Sequence, residues 1–222
     1  MKCSTGKVPI SLVLLTILLF AQGAPAATTT NLPLPELRTA AQIRQLTPEQ
    51  AARHYPVKLR AVITFYDESQ YYRFVQDDTA GIYFNESTSS VNPPMASGQL
   101  IEIEGETSPG EFAPVITTHR IKILGKGNFP AAVPVTYEQL ASGQEDSQFV
   151  EVHGIVRSAQ KENGSKYFSI DIATGGGRLT ALATNLPVTN SEDLVDSTVR
   201  IRGVCTTHFN RQRQLFDIRL LV

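Results

Sequence analysis

Two aspartates stand side by side in FVQDDTAGIYFN, residues 74–85, between two apolar runs. Paired carboxylates do acid and base chemistry when they converge on one substrate at a set separation. Neighbours in a turn point apart, and aspartate side chains there bond nearby backbone amides. Asp77 and Asp78 are therefore read as the corner of a hairpin. Cys205-Thr206-Thr207-His208 puts a thiol and an imidazole three residues apart. A Cys/His nucleophile needs the two groups to meet in space, and a metal site needs three or four converging ligands. The other histidines, His54, His119 and His153, are scattered along the chain. Cys205, matched to Glu106 in an internal repeat, reads as a small buried strand residue. The glycines at 175–177 lack the Lys and Ser/Thr of a phosphate loop, so they read as a tight turn. No G-x-S-x-G, H-E-x-x-H or calcium-loop pattern occurs. The expectation is no catalytic residue, no metal and no cofactor. Asn85 and Asn163 each open a glycosylation acceptor triplet, which matters only in a eukaryotic host.

The elements that would carry these residues come in duplicate. LTPEQAARHYPVKLRAVITF (46–65) resembles VTYEQLASGQEDSQFVEVHGIVR (135–157). LIEIEGETS (100–108) resembles TVRIRGVCT (198–206), with Gly105 opposite Gly203. FVQDDTAGIYF resembles FSIDIATGGGRL, with Asp77 opposite Asp171, and IKILG resembles IRLLV. Thr47 and Thr136 are N-caps, each followed three residues later by a Gln, as in a capping box. Gly143 stops the second helix. Alternation predicts strands over 57–66, 70–77, 81–84, 99–107 and 116–124, and again over 149–159, 166–173, 177–184, 197–206 and 213–221. Ile101, Ile103, Val199 and Ile201 face inward, while Glu102, Glu104, Arg200 and Arg202 face out. Residues 85–99 are rich in breakers and read as loop. Ala61 and Gly154 are small residues where a long first strand must bulge around a barrel corner. The predicted fold is all-β, two tandem five-stranded OB-fold-like Greek-key barrels, each preceded by a short helix.

Residues 1–26 are read as a signal peptide. Lys2 and Lys7 precede an apolar run at 8–20, and Ala24-Pro25-Ala26 supplies a cleavage site. Cys3 lies ahead of that run, so it is no lipoprotein cysteine. The remaining organisation is a linker over 27–45, a first repeat over 46–126, a linker over 127–134 and a second repeat over 135–222. Loss of the leader leaves 18 of the 20 basic residues against all 21 acidic ones. That mildly acidic balance lacks the footprint of a nucleic-acid binder, so nucleic acid is not expected as a partner. One cysteine in the mature chain excludes a disulfide framework, and a hydrophobic core must hold the fold.

OB-type barrels take ligands over strands two and three, flanked by the loop after strand one and the hairpin between strands four and five. Those positions assign Tyr66, Tyr71, Tyr72, Arg73 and Phe112 in the first half. In the second half they assign Lys166, Tyr167, Phe209, Arg211 and Arg213, beside Lys161. Aromatic rings beside cations can stack on and pair with bases, sugars or peptides.

The segments RTAAQIRQLTPEQAARHYPVKLRAVITFYDESQYYRFVQDDTAGIYFN, GQLIEIEGETSPGEFAPVITTHRIKILGKG, SQFVEVHGIVRSAQKENG and RIRGVCTTHFNRQRQLFDIRLLV resemble the N-terminal extracytoplasmic region of a group of bacterial sensor histidine kinases. The resemblance implies tandem OB-like repeats behind a signal sequence, with a membrane segment and a cytoplasmic kinase following. No phosphoacceptor-histidine segment or ATP motif is present to carry kinase activity. The expectation is a non-enzymatic, periplasmic or extracellular sensing module with an unknown extracytoplasmic ligand or protein partner. It would meet the membrane only through segments beyond residue 222, because the chain stops inside a predicted strand. A free secreted binder of polysaccharide or single-stranded nucleic acid is the alternative, and a secreted hydrolase using Asp77 or Cys205/His208 a third.

Overall fold

Among the described residues three threonines start three helices, and each does it the same way. Thr39, Thr47 and Thr136 accept a hydrogen bond from the amide three residues on, and the Gln at that place reaches back to the cap amide. These boxes open α1 (Ala40–Arg44), α2 (Pro48–Ala51) and α3 (Tyr137–Ala141). Gly143 follows α3 at φ 77°, the left-handed value that ends a helix. The computed structural model describes residues 33–86, 93–209 and 215–222, and the architecture below belongs to the unit Leu34–Val222. Arg211, Arg213 and residues 1–32 lie outside the described residues, as does part of the expected 85–99 loop.

The first group of strands is β1 (Pro56–Asp67), β2 (Tyr72–Gln76), β3 (Gly81–Glu86), β4 (Gln99–Ser108) and β5 (Val115–Lys126). They close into a barrel in the order β1-β2-β3-β5-β4, with only β3 and β5 parallel. The second group is β6 (Val133–Pro134), β7 (Phe149–Lys161), β8 (Phe168–Ala173), β9 (Arg178–Ala183), β10 (Thr198–Phe209) and β11 (Leu215–Leu221). Their order is β10-β11-β9-β8-β7-β6, with a further β10–β7 pairing and a parallel β11–β9 pair. The chain is thus mostly β, in two sheets of five and six strands.

Alternation put the strands where they are found. Ile101 and Ile103 are fully buried beside Leu59, Ile63, Ile82, Phe84 and Ile116. Val199 and Ile201 are half-buried against Val150, Val152, Ile172 and Leu220 in the second core. The long first strands do bend, three residues past the small ones. Register shifts fall between Ile63 and Phe65 and between Val156 and Ser158. A side chain at Gly154 would run into Ile172 and the Ala173 carbonyl.

The structure corrects several sequence readings. The linker expected over 27–45 holds α1, whose Ala40 and Ile43 are fully buried in the first core. The linker expected over 127–134 contributes β6, paired parallel with β7 at Val133 and Val150. Leu37 makes the corresponding parallel bridge to Val57. By position α3 therefore answers to α1, and α2, matched to it in sequence, is the additional helix. Register also corrects the Cys205 match, to the place the Gly105–Gly203 pairing gives it, and changes the Asp77 match. Glu106 sits across from Pro56 as Val204 does from Phe149, so Cys205 corresponds to Thr107. Gln76 closes on Gly81 as Ala173 closes on Arg178, so Asp77 corresponds to Thr174, not Asp171.

Asp77 is turn chemistry with a longer reach. Its Oδ1 accepts from the Thr79 amide at 2.8 Å, the Thr79 hydroxyl at 2.6 Å and the Ala80 amide at 2.9 Å. Its Oδ2 accepts from the Ala40 amide at 2.8 Å, at the start of α1. One carboxylate thus closes the β2–β3 corner and ties the N-terminal helix to it. Asp77→Ala is expected to lower stability by about 2–4 kcal/mol, since it removes a cap and several charge-assisted bonds. Urea unfolding followed by circular dichroism measures this, and a loss under about 0.5 kcal/mol, the usual surface effect, would remove the role.

Candidate functional site

The two β-structures meet across a third apolar cluster. Phe74, Tyr167, Leu182, Val204 and Leu221 form it, with Phe65, Tyr72, Tyr83 and Phe149 packed around them. The rings meet edge-on: Phe74 and Tyr83 at 5.2 Å between centroids, Tyr72 and Tyr167 at 6.4 Å. Such pairs favour edge-to-face contact because ring faces are negative and edges positive. Main chain from each half also bonds the other. Gln148 Oε1 accepts from the Gly81 amide at 2.9 Å, and Gln76 Oε1 from the Phe149 amide at 2.9 Å. A Cβ on Gly81 would lie 2.0 Å from the Ser147 carbonyl oxygen, so only glycine allows this approach.

Asp67, at the end of β1, is 4% exposed in this seam. It accepts hydrogen bonds from the Tyr167 hydroxyl, from the Ser69 amide (3.0 Å) and from the Ser69 hydroxyl (2.7 Å). Lys166 Nζ pairs with it at 3.0 Å. Burial pushes this carboxyl up, but the bonds from Tyr167, Ser69 and Lys166 outweigh burial and hold it at about 2. The Tyr167 hydroxyl is pushed up, first by burial and then by Asp67.

Beside the seam lies a groove of about 470 Å³. Tyr71, Tyr72, Phe74 and Tyr83 of the β2–β3 face line one part, and residues 110–115 of the β4–β5 hairpin another. The second half adds Asp146, Ser147, Thr206, Thr207 and His208. Tyr71 is 68% exposed and Phe112 42%. Asp146 Oδ1 accepts from the Thr207 amide at 3.0 Å and the Thr207 hydroxyl at 2.7 Å. Thr206 Oγ1 and His208 Nε2 are buried and, among the described residues, have no hydrogen-bond partner. Burial, then the Arg219 cation, pulls the His208 imidazole down, so the ring is neutral at pH 7.

The residues assigned from sequence divide into three groups. Tyr71, Tyr72 and Phe112 line the groove. Tyr167 and Lys166 belong to the Asp67 cluster, and Tyr167 is 2% exposed. Tyr66 and Arg73 turn to Glu86: the Tyr66 hydroxyl donates to Glu86 Oε1 at 3.0 Å, and Arg73 Nε lies 3.2 Å from the same oxygen. Burial and then Glu86 push the Tyr66 hydroxyl up to about 12. The Arg73 guanidinium also sits 5.2 Å from the Tyr71 ring centroid. The Phe209 side chain lies outside the described residues. Asp146 and Thr206 lie outside the sequence assignment, and His208 entered it only beside Cys205; all three come to the groove only when one half is laid on the other. The spacing of Thr206 and His208 on one strand face was the only signal available.

Cys205 is fully buried in the second core. Burial, then Asp146, pushes its thiol up, the reverse of an activated nucleophile. Among the described residues no three His, Cys, Asp or Glu side chains converge as a metal site.

No protein family matches the chain, and no curated protein does. Solved structures with a similar β-architecture include the p204 HINb domain, at 12% identity and a TM-score of 0.33, over 76% of this chain and 94% of that one. A murine DNA-binding protein bound with double-stranded DNA is similar at 13% identity and a TM-score of 0.35, over 74% and 92%. The Ifi202 HINa domain in complex with 20-bp double-stranded DNA gives 6% and 0.33, over 74% and 91%. The expectation that nucleic acid is not a partner is corrected by these neighbours, two of which are described with bound DNA. Net charge is an average over the surface and does not decide what one face binds.

The Asp67 cluster makes the seam sensitive to acid. Its folded pKa of about 2 lies below the unfolded value of about 3.9. Its contribution is therefore complete above about pH 5 and is lost as pH falls toward 2. Tyr167→Phe is expected to lower stability at pH 7 by about 1.5–3 kcal/mol and to flatten the fall in stability between about pH 4 and 2. Urea titrations at several pH values measure both, and an unchanged acid profile would take the charge out of the seam.

Proposed function

We propose that this chain is a non-catalytic ligand-binding module of two tandem OB-type Greek-key barrels, exported behind a leader at residues 1–26. The order of strand pairings supports the twin-barrel reading, since β1-β2-β3-β5-β4 and β7-β8-β9-β11-β10 repeat one plan and the β10–β7 pairing supplies closure. Each unit carries its own lead-in bridge and helix. Within this reading the chain is the N-terminal sensing part of a bacterial membrane signalling protein of the sensor histidine kinase kind. That assignment rests on the resemblance of its segments, and on Lys2, Lys7, the apolar run and Ala24–Ala26 for export.

One observation carries the binding function: a groove of small-ligand size, lined by residues of both halves and by the exposed side chains of Tyr71 and Phe112. An occupant here touches both halves at once. It therefore favours one arrangement of the barrels over others by its differential affinity, which is all a ligand can do to an equilibrium. A free exported binder is the competing reading, and it would use the same groove.

The natural protein's mass and location separate the two. An antibody against residues 34–222 is applied to fractionated source cells. A membrane-bound band far above 24.3 kDa is the expected result. A soluble periplasmic or secreted band near that mass would overturn the signalling assignment and leave the free binder.

A further inference from the structure

We infer that a second groove on the same seam takes a small organic anion, a carboxylate or phosphate joined to a flat apolar group. This site is separate from the groove beside Tyr71 and does not rest on it. The second groove encloses about 400 Å³, within the range of small-ligand sites, about 300–1,000 Å³. Tyr66 and Ser97 of the first half line it, with Phe129 of the segment before β6 and Lys166, Thr184 and Arg202 of the second half. Members of the seam's aromatic cluster line it too. Among the described residues no acidic side chain does. The first groove, by contrast, sets Glu111 and Asp146 against Arg44. A concave site walled by one sign of charge concentrates ions of the other, even on a chain whose net charge is -1.

Both cations can be reached, and both are held in place. Lys166 and Arg202 each expose 55% of the side chain. Lys166 pairs with Asp67 at 3.0 Å, and an ammonium has further donors to give. Arg202 gives its Nε–H to Glu151 at 2.7 Å, and among the described residues its two Nη groups make no hydrogen bond. A guanidinium fork of that kind matches two oxygens of a carboxylate or a phosphate. The carboxylates behind the lining are covered and committed. Asp67 is held by Tyr167, Ser69 and Lys166. Glu151 is shared by Arg202, Arg200 and His153, and Glu86 by Tyr66 and Arg73. Lys166, Arg200, Arg202 and Arg73 stand against those three carboxylates, which leaves one positive charge over. Ser97 and Thr184 are exposed and add hydroxyl donors. Phe129 is 43% exposed and meets Phe149 edge-to-face at 4.7 Å, so a braced ring walls the site for the uncharged part of the ligand.

The test uses the full chain with a short Gly-Ser tail after Val222, a lining residue, so that no terminal carboxylate competes there. Amide shifts are followed by NMR while phenyl phosphate, benzoate, inorganic phosphate and neutral benzamide are titrated in. At least one of phenyl phosphate and benzoate is expected to bind about tenfold or more tighter than benzamide, the weight of a charge-assisted hydrogen bond. That binding weakens as salt rises from about 50 to 500 mM, and the tighter of the two probes tells phosphate from carboxylate. The shifts centre on Phe129, Lys166, Thr184 and Arg202. Arg202→Gln removes the advantage over benzamide, Arg202→Lys keeps part of it, and Phe129→Ala weakens phenyl phosphate but not inorganic phosphate. Equal binding of the two aromatic anions and benzamide overturns the anion assignment, as does no saturable binding by either anion. Shifts confined to other residues, or anion binding that ignores Arg202→Gln, overturn the site.

Discussion

A carboxylate taken out of water has to be completely hydrogen-bonded or it will not remain ionised. Asp67 meets that condition only when the second half of the chain is docked. Ser69 supplies local donors, but the hydroxyl of Tyr167 and the ammonium of Lys166 come from about a hundred residues away. Removing either half would leave the charge half-satisfied in an apolar setting. The aromatic cluster around it supplies the burial, and Asp67 supplies the registration. Packed rings alone tolerate sliding, whereas a charge held by donors from both sides does not.

The same carboxylate shapes the groove. Asp67 caps the turn Glu68–Gln70 by accepting from the Ser69 amide, and that turn ends on Tyr71 in the left-handed conformation, φ 57°. A residue with a Cβ adopts this conformation at a cost of about 1–2 kcal/mol, so something must hold it. The Tyr83 hydroxyl donates to the Tyr71 carbonyl at 2.9 Å, and Arg73 stacks on the Tyr71 ring. Docking of the halves and presentation of the most exposed ring in the groove are therefore coupled through one side chain. Any occupant that presses on Tyr71 acts on the turn that Asp67 caps, and so on the seam.

The strands were legible because period-two alternation needs only local sequence. LIEIEG and TVRIRG place their apolar residues inside, as read. Helix α1 carried the signal already recognised in α2 and α3, a threonine with a glutamine three places on, at Thr39 and Gln42. Nothing local shows that so short a helix is buried, because its place depends on Asp77, far along the chain. Matching the repeats by letters failed where the register does not follow the letters. An aspartate was matched to Asp171, while the corner it occupies is built on the other side by Thr174, whose amide donates to Gly177 as that of Asp77 does to Ala80. The groove was legible on one wall only. Tyr71, Tyr72 and Phe112 follow from the fold type, but Asp146, Thr206 and His208 belong to another repeat and are brought in by the seam.

Two similar β-structures on one chain invite exchange of strands between them, since each offers the other a nearly equivalent partner. The outer faces oppose this. In the first barrel Lys58 and Arg60 of β1 pair with Glu104 and Glu102 of β4, at 2.8 Å and 2.7 Å. At the equivalent places of the second, Glu151 of β7 pairs with Arg202 of β10 at 2.7 Å, and His153 lies across from Arg200. The signs are reversed between the halves at the Lys58–Glu104 and Glu151–Arg202 pairs. Pairing β1 with β10 would set Lys58 against Arg202 and Arg60 against Arg200. Pairing β7 with β4 would set Glu151 against Glu104. In each sheet the cations lie at the surface while the Glu102 and Glu151 carboxylates are largely covered, and like charges directly opposite are penalised in their turn. Discrimination is the difference between the two, and repulsion in the wrong pairing adds to it as fully as attraction in the right one. The ladder that looks like surface decoration thus keeps each long strand in its own sheet.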